Sequence, residues 1–147
     1  MQNPFMVEAL SEARKAFDAG EIPVGAVIVK DGQIVARGHN LREREQNALL
    51  HAETVAIARA CEALGRWRLS DCDIYVTLEP CAMCCGAIAQ AKLRRVYFGA
   101  YDLKGGFAVS NAGLLSHPAL MHQAECYCGI MEDACGELLR DFFRTIR

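Results

Sequence analysis

Between Pro4 and Ala19 the apolar residues Met6, Ala9, Leu10, Ala13 and Phe17 recur at steps of three and four, which predicts an amphipathic helix that Gly20 can close. The period then changes to two. Val24–Val29 and Ile34–Ala36 flank Lys30-Asp31-Gly32-Gln33, and this pattern predicts an antiparallel hairpin with an Asp-Gly tight turn. After Gly38-His39-Asn40, the run Arg42-Glu-Arg-Glu45 cancels its own charge and is expected to be a solvated loop. Helical spacing resumes from His51 to Leu64, with Gly65 as its stop, so His51 lies at or near a helix N-terminus.

Asp73–Leu78 alternates in the manner of a strand. Pro80 is well placed to begin the next helix, because the first helical positions need no N–H donor. Leu93–Gly99 and the shorter Ala124–Cys128 read as further strands. Tyr101–His122, between them, is Gly-containing and poorly periodic; a loop of that length in a compact domain is expected to be functional. A final helix from about Ile130 to Arg144 carries the stripe Met131, Ala134, Cys135, Leu138, Leu139 and Phe142, a face that adjacent Phe143 cannot share. Helices between strands, after one starting hairpin, give an α/β domain of three layers with the sheet covered on both faces.

Composition narrows the class. The 147 residues suit one domain, and 52% apolar with 23% charged residues is ordinary for a soluble globular protein. No stretch approaches the roughly 18 apolar residues of a membrane span, and Met1-Gln-Asn-Pro4 does not open a signal peptide, so a cytoplasmic protein is expected. Its eight cysteines are then expected to be reduced, with Cys61, Cys72 and Cys135 as small core hydrophobes. A net charge of −2 gives bulk electrostatics no part in nucleic-acid binding, although Lys92, Arg94, Arg95 and Lys104 form a local positive surplus that would suit phosphates.

The chemistry concentrates in two short segments, His51-Ala52-Glu53 and Pro80-Cys81-Ala82-Met83-Cys84. One imidazole and two thiolates supply three ligands for a tetrahedral Zn²⁺ and leave the fourth position to water, as in catalytic and not closed structural sites. Cys81 and Cys84, at i and i+3 near a helix start, meet free N–H groups and the positive end of the helix dipole, which favour thiolates. His39, His117 and His122 are conceivable fourth ligands but fit loop or surface positions better. Glu53 points elsewhere than His51 on the same helix and is expected to carry protons: it would take one from the activated water and deliver it to a ring nitrogen, and the same carboxyl would then protonate the departing amine. The combined spacing is the His-x-Glu…Pro-Cys-x-x-Cys signature of zinc nucleobase deaminases.

Around these segments lie Glu21-Ile-Pro-Val-Gly-Ala26, Tyr75-Val-Thr-Leu-Glu-Pro-Cys-Ala-Met-Cys84, Phe98-Gly-Ala-Tyr-Asp102, His117-Pro118 and Glu137-Leu-Leu-Arg-Asp-Phe-Phe-Arg144. With them, nearly the whole chain resembles the bacterial tRNA adenosine deaminases of the cytidine deaminase superfamily. The resemblance implies the superfamily's mixed five-stranded sheet, one Zn²⁺ per subunit, and conversion of adenosine to inosine at the wobble position of a tRNA anticodon. It also implies a homodimer in which the partner subunit borders each site. By position, Asn40 would hydrogen-bond the flipped base beside Ala52, Asp102 and Lys104 would lie along the RNA, and Phe143 and Arg144 would meet the anticodon loop. On the residues alone, Asn40 could instead cap the end of the second strand, and Asp102 and Lys104 could be solvated loop charges.

Two segments depart from the family pattern: Asn47-Ala-Leu-Leu50 stands for its Asp-Pro-Thr-Ala, and Phe107-Ala-Val-Ser-Asn111 for a small Gly-Ser segment. These departures leave open a free base or nucleoside of guanine, cytosine or cytidine type as the substrate. A zinc-stabilised RNA-binding subunit without catalysis is a further alternative, against which Glu53 argues.

Overall fold

A computed structural model describes residues 2–146 of the protein. The chain runs α1 (Pro4–Asp18), β1 (Gly25–Lys30), β2 (Gln33–His39), α2 (Arg42–Glu45), α3 (Ala52–Leu64), β3 (Cys72–Leu78), α4 (Ala82–Ala91), β4 (Arg95–Ala100), a 3₁₀ turn at Leu114–Ser116, β5 (Glu125–Tyr127) and α5 (Glu132–Thr145). The local signals act as elementary chemistry requires. Asn3 Oδ1 accepts from the N–H groups of Phe5 and Met6 at 3.0 Å, and Pro4 takes the first helical position. At the hairpin, Asp31 and Gly32 both adopt positive φ, the conformation that a twisted two-residue turn requires.

The five strands form one mixed sheet in the order β2-β1-β3-β4-β5. β1 is antiparallel to β2 and β3, while β3, β4 and β5 are parallel. The parallel pairing of β3 with β4 needs a crossover, which α4 supplies. It also brings the C-terminal ends of both strands together, with Leu78 opposite Ala100.

Two cores hold the layers. On one face Ala52, Ala56, Ala60 and Ile88 of α3 and α4 pack on Ile28, Ile74, Val76, Val96 and Phe98. On the other, Met6 and Ala9 of α1 and Cys135 of α5 pack on Val27, Val29 and Tyr75. Neighbouring residues such as Val27 and Ile28 therefore serve opposite faces, as strand geometry dictates. Close approach fixes α3 in place: a Cβ on Gly38 of β2 would lie 2.7 Å from both Ala52 O and Ala56 N. Only glycine lets the helix that begins beside His51 sit this near the sheet.

Three expectations are corrected. Arg42–Glu45 is a helical turn and not an irregular loop, because the distant, buried Glu21 carboxylate accepts from the N–H groups of Glu43 and Arg44 at 3.1 and 2.7 Å. Arg94 and Arg95 do not form a positive surplus for phosphates. Both pair with Asp73, at 3.0 and 3.8 Å, Arg95 also pairs with Glu125 at 3.6 Å, and this row lies at the N-terminal ends of β3, β4 and β5. Pro80 precedes the α4 helix, whose N-cap is Cys81, so only Cys84 lies within its first turn.

Candidate metal centre and active site

His51 and Cys81 hold equivalent posts. Each is the extended N-cap residue of a helix, His51 of α3 and Cys81 of α4. The His51 N–H donates to Thr54 Oγ1 at 3.1 Å, which fixes the entry to α3. Cys84 follows on the first turn of α4 and is fully buried. Both helices start at the same end of the sheet, so the three donors converge, all within 4.8 Å of one another.

The spacing fits a tetrahedral zinc. Zn–S bonds near 2.3 Å and Zn–N bonds near 2.0 Å, set at a tetrahedral angle, separate sulfur from nitrogen by about 3.5 Å. His51 Nδ1 lies 3.6 Å from Cys81 Sγ and 3.6 Å from Cys84 Sγ. The protonation chemistry agrees. The Cys84 thiol beside it holds Cys81 down at about 4, while Cys84 itself is pushed up, and the hydrogen bond with Cys81 raises His51. A thiolate crowded by proton-bearing neighbours is a donor set in which one divalent cation replaces several protons.

The other histidines are engaged elsewhere. His39 Nδ1 lies 3.1 Å from Glu12, the His117 ring accepts from Ala119 N, and His122 Nε2 contacts Leu93 O at 2.6 Å. Among the described residues, His51, Cys81 and Cys84 are the one metal-competent cluster, and His51 and Cys81 also line the adjoining cavity.

That cavity has a volume of about 130 Å³. Ile22, Val24 and Leu78 form apolar walls, with Asn40, Arg42, Glu53, Glu79 and Asp102 as its polar lining. Glu53 is only 4% exposed, and burial pushes its carboxyl up to about 7. A carboxyl so poised exchanges protons near neutral pH, as a general acid–base group must.

The site residues anticipated from the sequence divide into two groups. His51, Ala52, Glu53, Cys81, Asn40 and Asp102 all line the cavity, and Cys84 backs it as a metal donor. Asn40 has a structural duty as well: its Oδ1 accepts from Arg42 N at 3.1 Å. Asp102 Oδ1 accepts from the N–H groups of Lys104 and Gly105 at 3.2 and 3.0 Å, which shapes its own turn. Lys104, Phe143 and Arg144 are not part of the cavity lining. Phe143 is exposed while Phe142 is buried, and Arg144 pairs with Asp141 at 2.7 Å.

Arg42, Glu79 and the buried Glu21 lie in segments singled out from the sequence, but none had a role of its own there. The one available signal was an acidic residue set within an apolar stretch, Glu21 before Ile-Pro-Val and Glu79 after Val-Thr-Leu.

Comparison with known proteins agrees with this geometry. The family model for the cytidine and deoxycytidylate deaminase zinc-binding region matches residues 1–100. The tRNA-specific adenosine deaminase of Bacillus subtilis (strain 168) is 50% identical over 97% of this chain and 89% of its own length. That of Agrobacterium fabrum is 47% identical over 97% of this chain and 94% of its own. A solved structure from work on A-to-I editing by tRNA:A34 deaminases at the wobble position superposes with a TM-score of 0.89 at 45% identity, covering 92% of this chain and 98% of that one. A guanine deaminase from Bacillus subtilis matches less of the chain, 67% of it and 63% of its own, with a TM-score of 0.64 at 43% identity. The chain belongs to the zinc-binding cytidine and deoxycytidylate deaminase family.

Proposed function

We propose that the protein is a zinc-dependent aminohydrolase that converts adenosine to inosine at the wobble position of a tRNA anticodon. The observation that carries this reading is the buried Glu53 beside a three-donor zinc site that opens into a cavity of about 130 Å³. Sites for whole drug-sized ligands occupy about 300–1,000 Å³, so this cavity suits one base turned out of its strand. Identities of 45–50% to tRNA-specific adenosine deaminases over nearly the full chain support adenosine in tRNA as that base's source.

His51, Cys81 and Cys84 would hold the ion. When bound, zinc supplies a Lewis acid that lets water lose a proton near neutral pH. Glu53 accepts one proton from the water and delivers it to the ring nitrogen as the water oxygen bonds to the ring carbon. It then takes that oxygen's second proton and passes it to the amine, which leaves as ammonia when its bond to carbon breaks, so that one carboxyl serves as base and acid in turn. Ile22, Val24 and Leu78 exclude bulk water around the ring. Asn40, whose Nδ2 has only a long 3.4 Å contact to Ile22 O, keeps a donor for the base. Asp102 Oδ2 and, outside the cavity, Lys104, Phe143 and Arg144 would meet the RNA.

The same reading carries a homodimer, with the partner subunit bordering each site, and a cytoplasmic location. Eight free cysteines suit a reducing compartment, and among the described residues no helix is long and apolar enough to cross a membrane. Zinc-loaded protein incubated with an anticodon stem-loop should yield inosine at the wobble position. Rapid turnover of free guanine or cytidine with none of the stem-loop would overturn the reading in favour of a small-molecule deaminase.

A further inference from the structure

Two buried carboxylates border the cavity, and they are in opposite states. Glu53 keeps its carboxyl for the cavity. Glu79 is 2% exposed, and its carboxylate is saturated by one loop. Oε1 accepts from Asp102 N at 3.1 Å and from the Ser110 hydroxyl at 2.5 Å, while Oε2 accepts from Val109 N and Ser110 N, both at 2.8 Å. An ionised carboxylate offers about four acceptor sites, so four donors leave none for substrate or proton traffic.

The loop is moulded around this group. The Gly106 N–H donates to Asp102 O at 2.8 Å, and the Phe107 N–H to Pro80 O at 2.9 Å. A Cβ on Gly106 would lie 2.4 Å from Glu79 Cδ and 2.5 Å from Asp102 O. Glu79 itself is pinned at the end of β3, where its N–H donates to Ala100 O at 2.8 Å, two residues before the ligand Cys81. One side chain therefore ties the wall that carries Asp102 to the segment that carries the metal donors.

We propose that Glu79 is a positioning residue: its saturated carboxylate sets where the 102–110 wall stands relative to the metal donors, and thereby sets substrate affinity without joining metal binding or proton transfer. Glutamine keeps the shape but turns an amide donor toward loop donors, so the wall loses its anchor while the chain stays intact. The inference rests on the deaminase reading only in its kinetic part.

The test compares wild-type and Glu79→Gln full-length protein, both zinc-loaded, by metal content, backbone amide exchange and steady-state kinetics. Exchange over residues 102–110 should quicken about tenfold or more with that of α4 unchanged, and KM for the stem-loop should rise about tenfold, most of the loss falling in KM and little in kcat. Zinc content should stay at one ion per chain. Unchanged exchange in 102–110, or a loss confined to kcat, would overturn the proposal. If wild-type protein makes no inosine from the stem-loop, the functional reading fails, and the exchange result still decides the role of Glu79. Should Glu79→Gln not accumulate as folded protein, Ser110→Ala removes a single hydroxyl from the same carboxylate. It should then move exchange and KM in the same direction by about threefold, and no movement in either would again overturn the proposal.

Discussion

His51 Nδ1 and Cys81 Sγ, thirty positions apart in the chain, lie 3.6 Å from each other because both residues are N-caps of helices that begin at the same end of the sheet. An N-cap residue is the last extended residue before a helix, so its side chain is set by the turn that follows and not by a flexible loop. Two such turns facing each other make a rigid site, the second donor turn carrying Cys84 as well. A metal held this way contributes to stability as much as to chemistry.

Removing zinc with a strong chelator should therefore abolish deamination and also lower the thermal midpoint, and adding zinc back should restore both. Cys81→Ser should mimic the chelator, with bound zinc falling well below one ion per chain. Calorimetry with metal analysis checks this, and a chelated protein of unchanged midpoint and activity would contradict it.

Glu53→Ala should separate chemistry from metal binding. The alanine variant should keep its zinc and lose about 10²-fold to 10⁴-fold or more in kcat, the range of general acid–base catalysis. Removing a buried carboxyl whose pKa is pushed up to about 7 relieves a desolvation cost, so the variant should be no less stable than the wild type. Retained turnover would remove Glu53 from its assigned role.

How much of this was legible in the sequence depends on the range of the interaction. His51, Glu53, Cys81 and Cys84 could be read because metal ligation restricts residue type and helix starts leave local marks. The same holds for the three layers with the sheet covered on both faces, because periods of two and three to four survive in each segment, whereas the mixed five-stranded sheet was implied by the family resemblance. The α2 turn was not legible, since the group that caps it, Glu21, lies 22 positions from Glu43. Glu79 was missed for the same reason: its partners Val109 and Ser110 are 30 and 31 positions away. Arg94 and Arg95 looked like a free positive patch because the acids that pair with them, Asp73 and Glu125, belong to neighbouring strands.

Gly38→Ala should report on the seat of α3. The added Cβ would meet Ala52 O and Ala56 N at 2.7 Å, both backbone atoms that cannot swing aside. Overpacking of this kind costs about 1–3 kcal/mol or more, and relief by moving α3 outward shifts His51 away from the two thiols. The variant should unfold at lower denaturant concentration than the wild type and bind zinc more weakly. A stable variant with full zinc affinity would mean that α3 tolerates displacement.

Glu12 gives the fold a pH dependence away from the metal. Its buried carboxylate is raised by burial, but hydrogen bonds from Lys15 at 2.7 Å and from His39 at 3.1 Å outweigh that and leave it below the ordinary carboxylate range. A carboxylate whose folded-state pKa is depressed binds its proton more readily when the chain unfolds. Its contribution is thus present above the unfolded pKa and is lost as pH falls through the folded value. Stability should decline from about pH 5 downward, with Glu12 contributing part of the slope. Glu12→Gln should be less stable than the wild type near neutrality and should lose less stability than the wild type over the same acid range. Urea unfolding from neutral pH into acid checks this, with equal slopes for the two proteins as the contrary outcome. Because Glu12 joins α1 to His39 at the end of β2, next to Asn40, the same acid step should loosen the cavity wall before it opens the sheet.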